Sequence, residues 1–391
     1  MVLNTIRKCG PIARYEVAKT TGLAAPTVTV IVNDLIEAGF VHEIGRGESS
    51  GGRRPVMLEL NPCARYILAV RIQHGDIIAA LLDLASNIIE SRNQKINTTC
   101  PYEVVSAIVA LFDEMSAHSQ IDKDKVLRCA VASPGLINSL KGSVEHSSNL
   151  KWGSVNLSEM LSIRLNGMPV HVENISNTAA LGEKMYGKGY GCSNLIYLNL
   201  SVGIGAGIII DEQLFVGAKG YAGEIGGASI RPKLSDSGTG VSLRYETFEE
   251  RCGLLNILRR IAEVVPENIF KKLKLDKKQI GIEDLFTSPL IEVPQVKRIL
   301  LEASSIIGMK IAELISLFNT DMVILGGEWT KAGGILLDTV AQVVKENTFK
   351  EMGESVKIMT SSMQDDPPLM GAYALVLEEL FDSEEWTRNQ D

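Results

Sequence analysis

The sequence is poor in tryptophan and has no pair of cysteines spaced for a metal or redox site. Its six cysteines are scattered over 391 residues, without a C-x-x-C motif. We therefore expect reduced thiols, as in a cytoplasmic protein, and neither a disulfide framework nor a cysteine-based zinc site. Thirty-five glycines against three tryptophans favour many tight turns and close backbone approaches over a helical bundle.

Long apolar runs are also missing. No apolar stretch of the secretory type occurs near the N-terminus, so no signal peptide is predicted. The residues from Gly189 to Ile210 carry no charge, but they include five glycines and several polar side chains. This pattern predicts a buried hairpin rather than a membrane span.

What is present describes a soluble globular chain long enough for two or three domains. Hydrophobic residues make up 45% of the sequence and charged residues 22%. The net charge is −8, which does not favour a polyanionic partner for the whole chain. Residues 1–61, however, carry seven Lys/Arg and six Asp/Glu, so the charge balance favours a polyanionic partner only at that end.

The segment from Arg14 to Asn33 has the spacing of a helix-turn-helix. Gly22 can take the left-handed conformation of a tight turn, and Ala18 is small enough for two helices to approach closely. Val28, Ile31, Val32, Leu35 and Ile36 give the next helix a buried face. Ala24 lacks a capping side chain at the start of that helix, which Pro26 partly offsets. The alternative is an ordinary small helical bundle with a glycine turn.

A glycine- and arginine-rich loop follows and favours DNA binding over that alternative. It joins two predicted strands, one at Phe40-Val41 and one through the alternating Val56, Leu58 and Leu60, and it resembles the wing of a winged helix. Small polar side chains on the second helix suit a major groove. The predicted DNA-binding residues are Arg14, Ala25, Thr27, Thr29, Asn33, Arg46, Arg53 and Arg54.

After Asn61-Pro62 the pattern becomes an alternation of strands and helices, which predicts a mixed α/β architecture of two lobes. The predicted strands are Tyr66–Val70, Ile77–Leu82, Arg128–Ala132, Pro169–Val172, Leu195–Leu200, Gly207–Ile210 and Met322–Leu325. The predicted helices are Val104–Met115 and Ile306–Phe318.

An ordered set of motifs over nearly the whole chain resembles the ROK family of repressors and sugar kinases. After the winged helix come Ser133-Pro134-Gly135, Asn149-Leu150-Lys151-Trp152, Val172-Glu173-Asn174, Asn177 to Glu183, Gly203-Ile204-Gly205-Ala206-Gly207, Ala222-Gly223-Glu224-Ile225-Gly226 and Leu325-Gly326-Gly327. The resemblance implies an actin-like (ribonuclease-H-like) sugar-kinase fold with a sugar cleft between two lobes. The expected division is 1–61 for the DNA-binding domain, 62–172 for the small lobe with helix 367–385 packed on it, and 173–366 for the large lobe.

Departures from the kinase pattern predict that phosphoryl transfer is lost. The family's kinases have a catalytic aspartate directly after Glu-Asn, where this chain has Ile175, and isoleucine cannot accept a proton. Their first phosphate loop is replaced by the segment from Arg71 to Asp76, which adds bulk and a negative charge. The second loop, residues 201–205, keeps its glycines but has Val202 in place of a threonine.

The zinc site that the resemblance implies is eroded as well. Gly227 stands where the family has a histidine, and residues 229–243 contain no cysteine. A structural zinc site needs about four ligands, so no metal and no other cofactor are predicted. The sugar-contacting residues implied by the resemblance are Asn174, Glu224 and Glu246, whose amide and carboxylates suit paired hydroxyls; they could instead be structural caps.

The sequence thus predicts a non-enzymatic, DNA-binding transcriptional regulator, a repressor of carbohydrate-use genes that senses a sugar in its cleft and acts as a cytoplasmic homodimer or dimer of dimers. One rival is an active sugar kinase with an appended DNA-binding domain. Another is a DNA-binding protein whose kinase-like body only oligomerises.

Overall fold

A computed structural model describes residues 1–47, 54–236 and 241–382 of the chain. Its first part, which we call the N-terminal module (residues 2–60), combines three helices with a three-stranded antiparallel sheet in which β3 is central. In chain order these are α1 (Val2–Cys9), β1 (Ile12–Ala13), α2 (Arg14–Thr21), α3 (Ala25–Glu37), β2 (Val41–Arg46) and β3 (Val56–Leu60).

The turn between α2 and α3 forms where the glycine predicts it. Gly22 ends α2 with φ +71°, in the left-handed region. Ala24 precedes α3 without a side-chain cap, and Pro26 lies in the first turn of that helix. Val28, Val32 and Leu35 are buried, whereas the predicted Ile31 and Ile36 are only half-buried. The apolar face of α3 therefore closes the core of the module.

A mixed sheet of five strands comes next, in the order β10-β7-β4-β5-β6. Strands β4, β5 and β6 form an antiparallel meander, and β7 and β10 add in parallel beside β4. The elements are β4 (Tyr66–Gln73), β5 (Asp76–Asp83), β6 (Ile88–Lys95), α4 (Pro101–Ser119), β7 (Val126–Ser133), β8 (Leu136–Asn138), β9 (Ser143–His146), α5 (Leu157–Arg164), β10 (Val170–Asn174) and α6 (Ile175–Tyr186).

A second five-stranded sheet repeats this topology, in the order β13-β12-β11-β16-β17. Again three antiparallel strands are followed by two parallel ones. The elements are β11 (Leu195–Leu200), β12 (Ile204–Ile210), β13 (Gln213–Leu214), β14 (Ser229–Asp236), β15 (Val241–Thr247), α7 (Phe248–Cys252), α8 (Leu254–Val264), α9 (Glu267–Lys272), α10 (Ile282–Thr287), α11 (Pro294–Phe318), β16 (Met322–Gly326), α12 (Gly334–Asn347), α13 (Lys350–Ser355), β17 (Lys357–Thr360) and α14 (Pro367–Asp382).

The uncharged stretch from Gly189 to Ile210 contains the buried hairpin β11–β12, as predicted. Within the described part of the chain, no helix is long and apolar enough to cross a membrane.

Two helices, α6 and α14, cross in direct backbone contact at Gly182 and Gly371. A Cβ atom at Gly371 would overlap the carbonyl oxygen of Thr178, and one at Gly182 would overlap that of Pro367. Helix α14 also packs on β4 and β7 of the first sheet. Its apolar residues share one hydrophobic cluster with the N-terminal module, including Leu3, Ile6 and Phe381. The module is thus packed onto the body through α14.

Candidate functional site

A cavity of about 560 Å³ is lined by residues of both five-stranded sheets. This volume falls in the range typical of small-molecule sites. The polar side chains around one end of it, which we call the polar end, are Asn149, Asn174, Ser176, Glu224 and Glu249.

Asn174 is held at the polar end by the start of α6. Its Oδ1 accepts a hydrogen bond from the Ser176 amide at 2.7 Å, which caps the helix. Its Nδ2 donates to the Gly135 carbonyl at 2.9 Å and to Glu224 Oε1 at 3.1 Å. Gly135 has φ +119°, and a Cβ there would overlap the backbone of β9. Two of the three predicted sugar-binding residues, Asn174 and Glu224, are therefore in contact.

Glu224 projects from a loop that lies directly on β12. Gly223 permits this with φ +89°, because a side chain there would overlap the Ala206 carbonyl. Part of the Glu224 surface is open to the cleft, but burial of its carboxyl group and the nearby charge of Glu249 raise its pKa to about 7. A carboxyl with this pKa changes its charge near neutral pH.

Glu246, the third predicted residue, is placed elsewhere. It is buried, its Oε1 lies 3.7 Å from Arg251, and it is not among the described residues that line the cavity. Glu249, three residues further on, lines the cavity instead and accepts a hydrogen bond from the Ile204 amide at 3.0 Å. The sequence reasoning missed Glu249 because the segment offers several carboxylates and the family spacing selects Glu246.

Replacing Glu224 by glutamine is expected to raise the melting temperature at pH 8 more than at pH 5. A carboxyl whose folded pKa is raised above 4.5 destabilises the fold as it ionises, so the penalty is small below pH 5 and complete above pH 7. Solvent in the cleft limits the gain to about 1 kcal/mol or less. Thermal unfolding across this pH range measures it.

The matched control is Glu246→Gln, which removes the same charge from a buried ion pair with Arg251. That variant should lose stability at pH 8. A Glu224→Gln variant whose melting temperature shows no pH-dependent gain would contradict the destabilisation that we assign to the ionised Glu224 carboxyl group.

Arg71 occupies the position that corresponds to the first phosphate loop of the kinases. The side chain is 5% exposed, and its guanidinium lies 2.8 Å from Asp366 and 3.2 Å from Asp76. Gln73 donates to Glu328, which lies just after β16 of the second sheet, at 3.2 Å. The positive charge of Arg71 is thus matched by two carboxylates.

Two further residues stand where the family's kinases have their catalytic aspartate and a zinc-binding histidine. Ile175 is 8% exposed and lines the cavity at the first turn of α6. A Cβ at Gly227 would meet no atom within 4 Å, so packing does not require glycine there. Among the described residues, no group of three or more His, Cys, Asp and Glu side chains is arranged to hold a metal. The residues present therefore do not fit the family's zinc site.

The second candidate surface is the exposed face of α3 in the N-terminal module. Ala25, Thr27, Thr29 and Asn33 are all exposed on it, and Thr29 Oγ1 donates to the Ala25 carbonyl at 2.9 Å. Arg14 reaches this face, donating to Asn33 Oδ1 at 3.3 Å and to Glu43 at 2.9 Å.

The remaining predicted DNA-binding residues belong to the loop between β2 and β3. Arg46 and Arg54 are exposed at its two ends, and Arg53 lies outside the described residues. Two further exposed side chains near α3 were missed, Tyr15 and Val30, which are 61% and 60% exposed.

Comparisons with known proteins agree with this arrangement. The model of the ROK family matches residues 67–379. A relative named putative xylose repressor, from Caldicellulosiruptor sp. (strain Rt8B.4), is 29% identical over 97% of this chain and 95% of its own length. A solved ROK family transcriptional regulator, described as a homolog of the E. coli MLC protein, is 26% identical, with a TM-score of 0.79 over 97% of this chain and 95% of that one.

A ROK family glucokinase from Streptomyces griseus, solved with glucose and AMPPNP, shares the fold. It is 23% identical, with a TM-score of 0.66, and covers 79% of this chain and 98% of its own. The two-lobed kinase-like body is therefore common to both kinds of protein, whereas the regulator extends over nearly the whole of this chain.

Proposed function

The chain belongs to the ROK family, and we propose that it is a sugar-responsive, DNA-binding transcriptional repressor without kinase activity. The observation that carries the proposal is the combination of an N-terminal module that exposes small polar side chains on α3 with a cleft in which Ile175 occupies the position of the kinases' catalytic base. The relative named putative xylose repressor and the solved ROK family regulator, both matching over nearly the full length, support it.

The N-terminal module supplies a winged helix-turn-helix in this proposal. Helix α3 is the recognition helix, and its exposed Thr27, Thr29 and Asn33 contact base edges in a major groove. The loop between β2 and β3 is the wing, whose arginines neutralise phosphates or enter the minor groove. Residues 1–61, 62–172 with α14, and 173–366 are the corresponding functional units, and such a protein acts in the cytoplasm, where the DNA is.

The polar end of the cavity is the sugar site. Asn174 and Glu224 present an amide and a carboxylate side by side, which suits two neighbouring hydroxyl groups. Glu249 adds a further acceptor, and Glu246 remains a prediction that requires the β14–β15 region to rearrange. Xylose and glucose are the first sugars to test, given the relative's name and the solved glucokinase complex.

Helix α14 provides the route from this site to the DNA. Its first residues, Pro367 and Pro368, line the cavity. Near its other end Glu378 lies 2.6 Å from Arg7 of α1, and the Arg7 guanidinium stacks 4.5 Å from the Phe381 ring centre. Closure of the lobes on a sugar, a common hinge response, would therefore reorient the module.

In a homodimer this reorientation changes the spacing of the two recognition helices, which must match half-sites about one helical turn apart. Release of the protein from DNA needs only a difference in sugar affinity between its DNA-bound and DNA-free states. Such a difference commonly corresponds to a coupling free energy of about 1–3 kcal/mol. Operator DNA must then weaken sugar binding by the same factor.

The test is a titration of the full-length protein on a duplex selected from a random library, with and without each member of a monosaccharide panel. We expect at least one neutral sugar to weaken DNA binding about 5- to 150-fold. If DNA is bound but every sugar leaves both affinity and melting temperature unchanged, the body only oligomerises and the sensing role is wrong.

A coupled assay for ATP-dependent sugar phosphorylation separates the kinase rival. We expect no activity above a blank for the wild type or for Ile175→Asp, because Arg71 and its carboxylates also occupy the phosphate position. Turnover by the wild type would contradict the proposal, whereas turnover by Ile175→Asp alone would contradict the role given to Arg71.

A further inference from the structure

Aliphatic side chains line another part of the cavity, which we call the apolar end. Leu255 and Leu258 of α8 and Ile280 and Ile282 at the start of α10 form its wall. Leu258 is nearly buried, whereas Leu255 is 50% exposed. A large, half-exposed leucine on the wall of a cavity is an available contact for an apolar ligand group.

The polar and apolar ends meet at the glycine loop of residues 201–205. On one side, a Cβ at Gly203 would overlap the Asn149 amide, and the Ile204 amide is bound by Glu249. On the other side, the Ser201 carbonyl accepts the Leu254 amide at 3.1 Å, which fixes the first turn of α8 against the loop. One ligand lying across this loop would touch both ends.

The charges around the cavity favour a neutral ligand over a polyphosphate. Four carboxylates line it, those of Glu224, Glu249, Glu328 and Asp366, against two cations, Lys331 and Arg71, and the Arg71 guanidinium is already paired with Asp366 and Asp76. A triphosphate would therefore be repelled by several carboxylates near the loop. The apolar wall, in contrast, gains free energy from any hydrophobic surface that it removes from water.

We propose that the effector is a glycoside, with its neutral sugar ring at the polar end and an apolar aglycone, aryl or alkyl, at the apolar end. This inference rests on the proposed sugar-sensing function and extends it from a monosaccharide to a two-part ligand. The sugar ring supplies hydroxyls for Asn174 and Glu224, and the aglycone packs on Leu255 and Ile282.

Calorimetric titration of the full chain with free, methyl and phenyl derivatives of xylose and glucose, in both anomers, tests it. For the preferred sugar and anomer, the phenyl glycoside should bind about tenfold more tightly than the methyl glycoside, since apolar groups of this size are worth that much in a hydrophobic pocket. Leu255→Ser should abolish most of this difference and leave the methyl glycoside unaffected.

Two control variants accompany the test. Val264→Ser makes a comparable change at the far end of α8, where Val264 is 56% exposed, and should preserve the tenfold preference. Leu255→Met keeps the wall apolar and should preserve it too.

Equal affinity for phenyl and methyl glycosides, or a Leu255→Ser variant that weakens both alike, overturns the inference and leaves monosaccharide sensing intact. Tight binding of a nonhydrolysable ATP analogue that Leu255→Ser abolishes also overturns it, because the apolar end would then hold a nucleotide. If no sugar or glycoside binds at all, the sensing function itself fails.

Discussion

A Thr29→Glu variant is expected to bind the wild-type protein's selected duplex about a hundredfold more weakly, or worse. Thr29 is exposed at the centre of the proposed recognition face on α3, so the new carboxylate would oppose phosphates and base edges. A single well-made base contact is worth about 1–3 kcal/mol, and juxtaposed like charges cost several more. Fluorescence anisotropy at one fixed salt concentration measures the affinity, since salt alone changes it strongly.

Thr20→Glu is the matched control for this loss. Thr20 is also exposed in the N-terminal module, but it lies beside Met1 and Phe381 at the junction with α14. The variant has the same net charge and should retain nearly full affinity. Equal affinities for the two variants would show that the exposed face of α3 does not contact DNA.

The structural elements that could be predicted from the sequence are those that depend on residues close together in the chain. The turn at Gly22 and the hairpin β11–β12 are confirmed. Both depend on short-range rules, namely the conformational freedom of glycine and the burial of an uncharged run. Helix α11 begins at Pro294, twelve residues before the predicted start at Ile306. The prediction began too late because the first turns of the helix carry polar residues on an exposed face. Helices α5 to α10, α12 and α13 were not predicted at all.

Only the residues of the candidate site that belong to recognisable motifs could be predicted from the sequence. Asn174 and Glu224 meet in the cleft, 50 residues apart in the chain. The partner of Arg71 could not be predicted, since Asp366 lies in the segment before α14 and only the fold brings it to β4. The prediction of Glu246 instead of Glu249 as the cavity residue also failed for a tertiary reason. Motif spacing selects a position in the sequence, but the start of α7 decides which carboxylate faces the cavity.

The packing of the N-terminal module on the body is another tertiary feature. The sequence suggested a separate unit ending at residue 61, but Leu3 and Ile6 share a hydrophobic cluster with Leu377 and Phe381 of α14. A rigid attachment of this kind is what a cleft signal requires, because a freely tethered module would not change its orientation when the lobes move.

The crossing of α6 and α14 gives the prediction with the largest effect on stability. Alanine usually stabilises a helix relative to glycine by about 1 kcal/mol. At Gly371 we expect the reverse, a loss of about 3 kcal/mol, because the new methyl group would overlap the Thr178 carbonyl oxygen and both atoms belong to packed backbone. Thermal and urea unfolding measure the loss.

The same substitution should impair the proposed sugar site, because Asn174 caps the start of α6 and Asp366 directly precedes α14, so separating the helices displaces both residues. Gly153→Ala is the control: a Cβ there meets nothing within 4 Å, and its stability should stay within about 0.5 kcal/mol of wild type. A Gly371→Ala protein as stable as Gly153→Ala would mean that α6 and α14 can separate at little cost, and the crossing could then not carry movement from the cleft to the N-terminal module.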